Sequence, residues 1–305
     1  MGKPARRILL SGASGLIGSA LRRAAREQAM EVTALVRRHR LVGPGAVYWN
    51  PAKPDATAHA VELEGFDAVV HLSGANVARR WTQEYRREIV ESRVASTRML
   101  CESLAQVRRR PRVLLCASAV GIYGDRGDDV LIEESPEGTG FLAETCAAWE
   151  AAAENACALG IRVVHLRFGV ALSRKGGALG KMLLAFRCGL GGRLGSGRQW
   201  MSWISVRDLV RAVIFLMEHE ELAGAFNLTA PNPVTNATFT MALAAAVHRP
   251  ALLPVPAGML RMIFGEMANQ TMLASQRVLP QRLAGAGFKF EDEEVEGALR
   301  ALERS

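Results

Sequence analysis

The sequence predicts an α/β fold: a doubly wound parallel sheet with a smaller C-terminal α/β lobe. Short apolar runs of strand length alternate with longer amphipathic stretches through the first two thirds of the 305 residues, the rhythm of strands joined by helical crossovers. The first run, Ile8-Leu9-Leu10, opens onto Ser11-Gly12-Ala13-Ser14-Gly15-Leu16-Ile17-Gly18, with glycines three residues apart where a strand turns into a helix. With 49% hydrophobic and 22% charged residues, the chain has the composition of an ordinary globular protein and the length to bury one large core or two unequal ones.

The elements follow in order. After the first strand, Ser19-Ala20-Leu21-Arg22-Arg23-Ala24-Ala25-Arg26 reads as an amphipathic helix, and residues 32–36 as a second strand. Ala68-Val69-Val70-His71-Leu72 is a third apolar run, followed by a helical stretch over about 82–107 that ends near Arg108-Arg109-Arg110 and Pro111. Residues 113–117 give the next strand, 142–158 a helix and 163–166 a further strand. Right-handed crossovers between such strands make a parallel sheet covered on both faces, with its ligand at the carboxyl ends of the strands. From Gly176 onward the rhythm changes: residues 189–197 are glycine-rich and 231–256 rich in proline and alanine. The expected division is therefore 1–175 as the main nucleotide-binding domain and 176–305 as the smaller lobe, some of whose segments return to the first.

The glycine turn has a chemical reading. Gly12 permits the tight turn, Gly15 lets backbone approach a pyrophosphate, and Gly18 lets the helix pack close to the strand, whose following helix presents unpaired N–H groups to phosphate. At the end of the second strand an acid would bind a ribose 2′-hydroxyl and a base a 2′-phosphate. This chain has Arg37-Arg38 there and no acid, which selects NADP(H), with Arg37 as the phosphate partner. Leu72-Ser73-Gly74-Ala75-Asn76 follows another strand and is expected to pass under the cofactor.

Net charge is +8, yet the basic residues lie in short groups such as Arg37-Arg38 and Arg86-Arg87 with few interleaved aromatics, which argues against a nucleic-acid partner. No apolar run approaches the roughly 18 residues of a membrane span, and no apolar signal core follows the basic N-terminus, so a cytoplasmic protein with no membrane partner is expected. The five cysteines show no metal-ligand spacing and suggest a reducing compartment.

With these pieces the chain resembles the extended short-chain dehydrogenase/reductase superfamily, through 11–18, His71-Leu72-Ser73-Gly74-Ala75, Ser118-Ala119-Val120-Gly121-Ile122-Tyr123-Gly124 and Trp203-Ile204-Ser205-Val206-Arg207-Asp208-Leu209. More narrowly it resembles the atypical epimerase family proteins, through Ser92-Arg93-Val94, Trp149-Glu150, Gly191-Gly192-Arg193-Leu194-Gly195-Ser196-Gly197 and a DUF1731-type C-terminal segment carrying Phe264-Gly265-Glu266-Met267 and Val278-Leu279-Pro280-Gln281-Arg282-Leu283. The resemblance implies a Rossmann-type domain whose NADP(H) contacts fall on Gly12, Ser14, Gly15, Leu16, Ile17, Gly18, Arg37, Leu72, Ser73, Gly74, Arg93 and Ser118.

The superfamily's acid/base pair, a tyrosine and a lysine four residues apart on one helical face, is missing. Leu142 stands in the tyrosine register and Cys146 in the lysine register. Ser118 still matches the superfamily serine, and Arg93 falls where relatives usually carry asparagine. The candidate catalytic groups are thus Ser118, Arg93, Tyr123 and Cys146, with Arg93 orienting a substrate oxygen and Ser118 donating a hydrogen bond to it. Tyr123 also reads as a loop or wall residue, and Cys146 as a small buried side chain. His71 and His165 read as hydrogen-bonded structural histidines, and Trp200 and Trp203, with Arg198, as either cleft lining or core. Two functions lead, an NADP(H)-dependent oxidoreductase or epimerase acting on a small substrate such as a nucleotide-linked one, or an NADP(H)-binding regulatory or structural protein with little turnover; a module binding another protein or RNA through its basic surface has less behind it.

Overall fold

The computed structural model describes residues 6–53 and 60–304. The strands of its main sheet begin with β1 (Arg7–Ser11), β2 (Glu31–Val36), β3 (Ala46–Tyr48), β4 (Ala68–His71) and β5 (Val113–Ala119). After a two-residue strand, β6 (Val130–Leu131), come β7 (Arg162–Phe168) and three short strands of the second lobe, β8 (Val170–Leu172), β9 (Trp200–Met201) and β10 (Trp203–Ser205). β11 (Gly224–Leu228) returns to the main sheet, and β12 (Val234–Thr235) and β13 (Arg277–Val278) complete the set. All seven main strands are parallel, in the order β11-β7-β5-β4-β1-β2-β3. The fold is therefore Rossmann-like, with the strand order reversing between β1 and β4, where such sheets open a crevice for a ligand.

Apolar side chains cover both faces, as the continuous hydrophobic character of the inner strands requires. On one face Ile8, Leu10, Val70 and Leu115 pack with α1 (Leu16–Glu27) and with a later helix at Val206–Glu218. On the other, Leu9, Val69 and Leu114 pack with Leu100 and Leu104 and with Trp149 and Ala153. Those pairs come from the helical stretch after β4 and from the helix after β6. The first is α2 (Gln83–Val90) running through one π turn at Glu91–Ala95 into α3 (Ser96–Ala105); the second is α4 (Phe141–Glu154). Thr82 caps α2, its hydroxyl accepting from the Tyr85 N–H at 3.2 Å.

The stretch expected as one helix over 82–107 thus contains a π turn, and it ends at Ala105. The N–H groups of Arg108 and Arg109 go instead to the Glu64 carboxylate. Beyond residue 176, α5 (Gly177–Arg187), α7 (Asn236–Ala246) and α10 (Val295–Arg304) build a separate core around Leu183, Trp203, Phe239 and Leu299, while α6 (Val206–Glu218) and β11 belong to the main sheet. α8 (Ala257–Phe264) and α9 (Gln281–Gly285) lead the C-terminal segment back along the molecule, so that Leu283 and Phe288 join the sheet core. No helix among the described residues is long and apolar enough to cross a membrane.

Candidate functional site

The glycine turn closes where β1 ends. The Gly15 N–H donates to the Gly12 carbonyl at 2.9 Å, and Gly12 has φ +71°, a conformation that disfavours a side chain. A Cβ at Gly12 would also lie 2.7 Å from the Leu72 carbonyl oxygen, so the loop after β4 can approach the turn only because nothing projects there. α1 starts without a side-chain cap and without an acid in its first turn. Its positive end is left uncompensated, a fit for the pyrophosphate of a dinucleotide. The β1–β2 register pairs Ser11 with Leu35, so Arg37 emerges beside the turn, exposed and with no ion-pair partner among the described residues.

From that turn a cleft of about 360 Å³ runs along the strand ends. Gly12, Gly15, Leu16, Ile17 and Gly18 line one end; Leu72, Gly74 and Arg93 its middle; Ser118, Gly121, Leu142 and Cys146 the other. The π turn places Ser92 and Arg93 against the loop after β4. The Ser92 hydroxyl accepts from the Ala75 N–H at 2.9 Å, and Arg93 Nη2 donates to the Ala75 carbonyl at 3.0 Å and Nη1 to the Ile89 carbonyl at 3.1 Å. A Cβ on Gly74 would stand 3.1 Å from the Arg93 guanidinium carbon. Arg93 has no carboxylate partner among the described residues. Desolvation holds its pKa below the ordinary value, with Cys146 and Tyr85 acting in the opposite direction. A guanidinium with spare donors is therefore fixed in the cleft beside Cys146.

At the far end, Ser118 leaves β5 and donates its hydroxyl proton to Glu150 Oε1 at 2.6 Å. Glu150 lies on α4, four residues after Cys146 on the same face. It is held in a fork by Arg167, Nε to Oε1 and Nη2 to Oε2 both at 2.9 Å, and the two side chains are only 10% and 12% exposed. Burial works against the Arg167 charge, but the Glu150 carboxylate outweighs it and raises the arginine above its usual range. Arg167 Nη1 continues to the Tyr123 hydroxyl at 2.9 Å, which itself donates to Asn227 Oδ1 at 2.8 Å. Asn227 Nδ2 donates to the Leu279 carbonyl, so one buried chain of hydrogen bonds links the cleft wall to the C-terminal segment.

The structure thus brings Arg93, Ser118 and Cys146 together and keeps Tyr123 apart. Tyr123 is fully buried behind Arg167 with its hydroxyl engaged on both sides, and burial raises its pKa. Cys146 faces the cleft, but burial pushes its thiol up to about 12, leaving it protonated at neutral pH. Leu142 adds only hydrocarbon to the wall. Ser14 is exposed on the turn and Ser73 lies half-buried beside Gly74, neither of them lining the cleft.

The tryptophans do not line it either: Trp203 is fully buried in the second core and donates to the Asn232 carbonyl, and Trp200 donates to Asp128 beneath the Arg277 guanidinium. His71 is bonded between Ser11 (2.7 Å) and Ser96 (3.3 Å), and His165 meets Glu154 at 2.5 Å, an acid that strand and helix spacing did not reveal. Sequence reasoning also used Glu150 only as a register mark. Its place one turn after Cys146, on the same face of α4, is the signal that could have found the bond to Ser118.

The NAD dependent epimerase/dehydratase family matches residues 8–229, and a domain of unknown function, DUF1731, matches 255–302. An epimerase family protein of Mycobacterium bovis is 44% identical over 293 residues, 96% of each chain. The human epimerase family protein SDR39U1, solved with NADPH, superposes with a TM-score of 0.88 at 31% identity, covering 98% of this chain and 99% of that one. A nucleoside-diphosphate sugar epimerase of Corynebacterium glutamicum gives a TM-score of 0.81 at 34% identity over 98% of this chain and 59% of its own. The chain belongs to the NAD dependent epimerase/dehydratase family and carries its Rossmann-like fold.

Proposed function

We propose that this member of the NAD dependent epimerase/dehydratase family holds NADP(H) in the cleft between β1 and β4. There it acts as an oxidoreductase or epimerase on a small, nucleotide-linked substrate, through a site that uses no tyrosine–lysine pair. One observation carries the cofactor assignment: an uncompensated helix N-terminus behind the glycine turn lies beside Arg37, a cation with no ion-pair partner among the described residues. The NADPH in the human relative's structure supports the same choice, and the name of the Corynebacterium relative supports a nucleotide-linked substrate.

When bound, the cofactor supplies hydride chemistry at its nicotinamide. The protein's part is to bind, orient and hold charge. Arg37 neutralises the 2′-phosphate, and the first turn of α1 takes the pyrophosphate. Arg93 provides the fixed positive charge that Cys146 cannot, and Ser118 fixes the orientation of a ligand oxygen at the far end. The second reading, a cofactor-holding protein with little turnover, is favoured by the protonated Cys146 thiol and by Leu142, neither of which exchanges a proton at neutral pH.

Fluorescence titration tests the cofactor: NADPH is expected to bind at least about 10-fold more tightly than NADH, and Arg37→Glu to abolish the difference, given roughly 1.5–3 kcal/mol for a hydrogen bond to a charged group. Equal affinities in the unaltered protein would refute the assignment. Incubating the NADP-loaded protein with sugar nucleotides and carbonyl metabolites then separates the two readings, since turnover belongs to the enzyme and a persistent blank to the binding protein.

A further inference from the structure

The Ser118 hydroxyl has one proton, and its direction is set. It goes to Glu150 Oε1 at 2.6 Å, the short distance of a bond to an ionised acceptor. The carboxylate does not turn away, because Arg167 grips both of its oxygens and is itself anchored by the Glu133 carbonyl and the Tyr123 hydroxyl. What Ser118 has left for the cleft is lone pairs. Among the neighbouring wall residues Ala117, Ala119, Gly121, Leu142, Thr145 and Phe168, Thr145 alone carries a hydroxyl, and its proton goes to the Phe141 carbonyl at 2.6 Å. A ligand carbonyl oxygen placed against Ser118 would meet another acceptor, whereas a ligand hydroxyl would find one.

We propose that Glu150, as a positioning residue, fixes Ser118 as a hydrogen-bond acceptor toward the cleft, so that the site takes the alcohol form of a small ligand in preference to the matching ketone. The inference rests on the reading of this cleft as the ligand site. It reverses the donor role that the superfamily pattern suggests for Ser118, and no proton transfer is needed for it: the discrimination lies in binding, through the cost of setting two acceptors face to face with no water between them.

The test uses the full-length protein with and without saturating NADP+, titrated with cyclopentanol and cyclopentanone and read by ligand-observed NMR. The unaltered protein is expected to bind the alcohol about 5-fold more tightly, the range of one net hydrogen bond. Ser118→Ala is expected to bring the two affinities together while leaving the Glu150–Arg167 pair in place. The double variant Glu150→Leu/Arg167→Met removes both buried charges at once, frees the serine proton to turn into the cleft, and is expected to bring the affinities together while keeping the hydroxyl.

A ketone bound as well as the alcohol by the unaltered protein, neither probe binding, or an alcohol preference that survives Ser118→Ala would each overturn the inference. If the double variant does not fold, Ser118→Ala decides. NADPH affinity is measured separately on the same samples. Loss of the cofactor reading with the alcohol preference intact refutes the proposed function alone.

Discussion

His71 makes the sheet beneath the cofactor turn sensitive to acid. It ends β4, and its imidazole is wedged between the Ser11 hydroxyl at the end of β1 and the Ser96 hydroxyl on α3, completely buried. Ser11 in turn accepts from the Leu72 N–H at 3.1 Å, which ties this histidine to the loop that touches Gly12. No carboxylate is among its hydrogen-bond partners to stabilise a protonated ring. Burial therefore lowers its pKa from the usual 6.5 to about 4.

The unfolded chain takes up this proton below pH 6.5, while the folded chain resists it until about pH 4. The unfolded state thus binds more protons in that window, so the stabilisation is fully present above pH 6.5 and is lost as pH falls toward 4. An interval of about 2.5 pH units at about 1.36 kcal/mol per unit gives roughly 3 kcal/mol, most of it gone by pH 4.5.

Urea unfolding at a series of pH values measures this, with His71→Gln as the reference that cancels the carboxylates titrating over the same range. The difference in unfolding free energy between the two proteins is expected to shrink by about 2–3 kcal/mol from pH 7 to 4.5. The His71 ring proton followed by NMR is expected to show no titration between pH 7.5 and 5.5. Parallel stability curves for the two proteins, or a midpoint near 6.5 in the folded state, would refute the reasoning.

Three further outcomes follow from the site. Gly12→Ala forces a side chain into a φ of +71° and against the Leu72 carbonyl, and is expected to cost about 1–3 kcal/mol of stability and to weaken NADPH binding, checked by thermal unfolding and fluorescence titration. Arg167→Met leaves Glu150 charged and buried without its partner, so a loss of about 3–5 kcal/mol is expected in denaturant unfolding, larger than that of the Glu150→Leu/Arg167→Met pair. Of the five thiols, Cys157 and Cys188 are exposed and Cys101, Cys116 and Cys146 buried. Burial holds Cys146 near 12, so an aromatic disulfide reagent at pH 8 is expected to leave the three buried cysteines unmodified until the protein unfolds, as mass spectrometry of the labelled peptides would report.

Much of the sheet was legible because period and length suffice for buried strands: the runs at 8–10, 32–36, 68–72, 113–117 and 163–166 each fall on a strand of the main sheet. β3 was not legible, since Ala46–Tyr48 is three residues long and its pairing with β2 supplies most of what defines it. Nor was β11, whose Gly-Ala-Phe-Asn-Leu lies inside the stretch expected to form the smaller lobe. Its Asn227 is accommodated in the sheet by the Tyr123 hydroxyl and the Leu279 carbonyl, partners about 100 and 50 residues away in the chain.

The sequence by itself determined the α/β class, the glycine turn at Gly12, Gly15 and Gly18, the basic residue after the second strand, and the leucine and cysteine four residues apart at Leu142 and Cys146. These are local features, set by glycine's conformational range, by periodicity and by residue type at a fixed spacing. Only the tertiary structure decided that Arg93 stands beside Cys146, that Tyr123 is walled off behind Arg167, and that Ser118 spends its proton on Glu150. Hydrogen-bond direction depends on which groups meet when β5, α4 and β7 pack. No spacing along one strand or helix encodes a meeting of three.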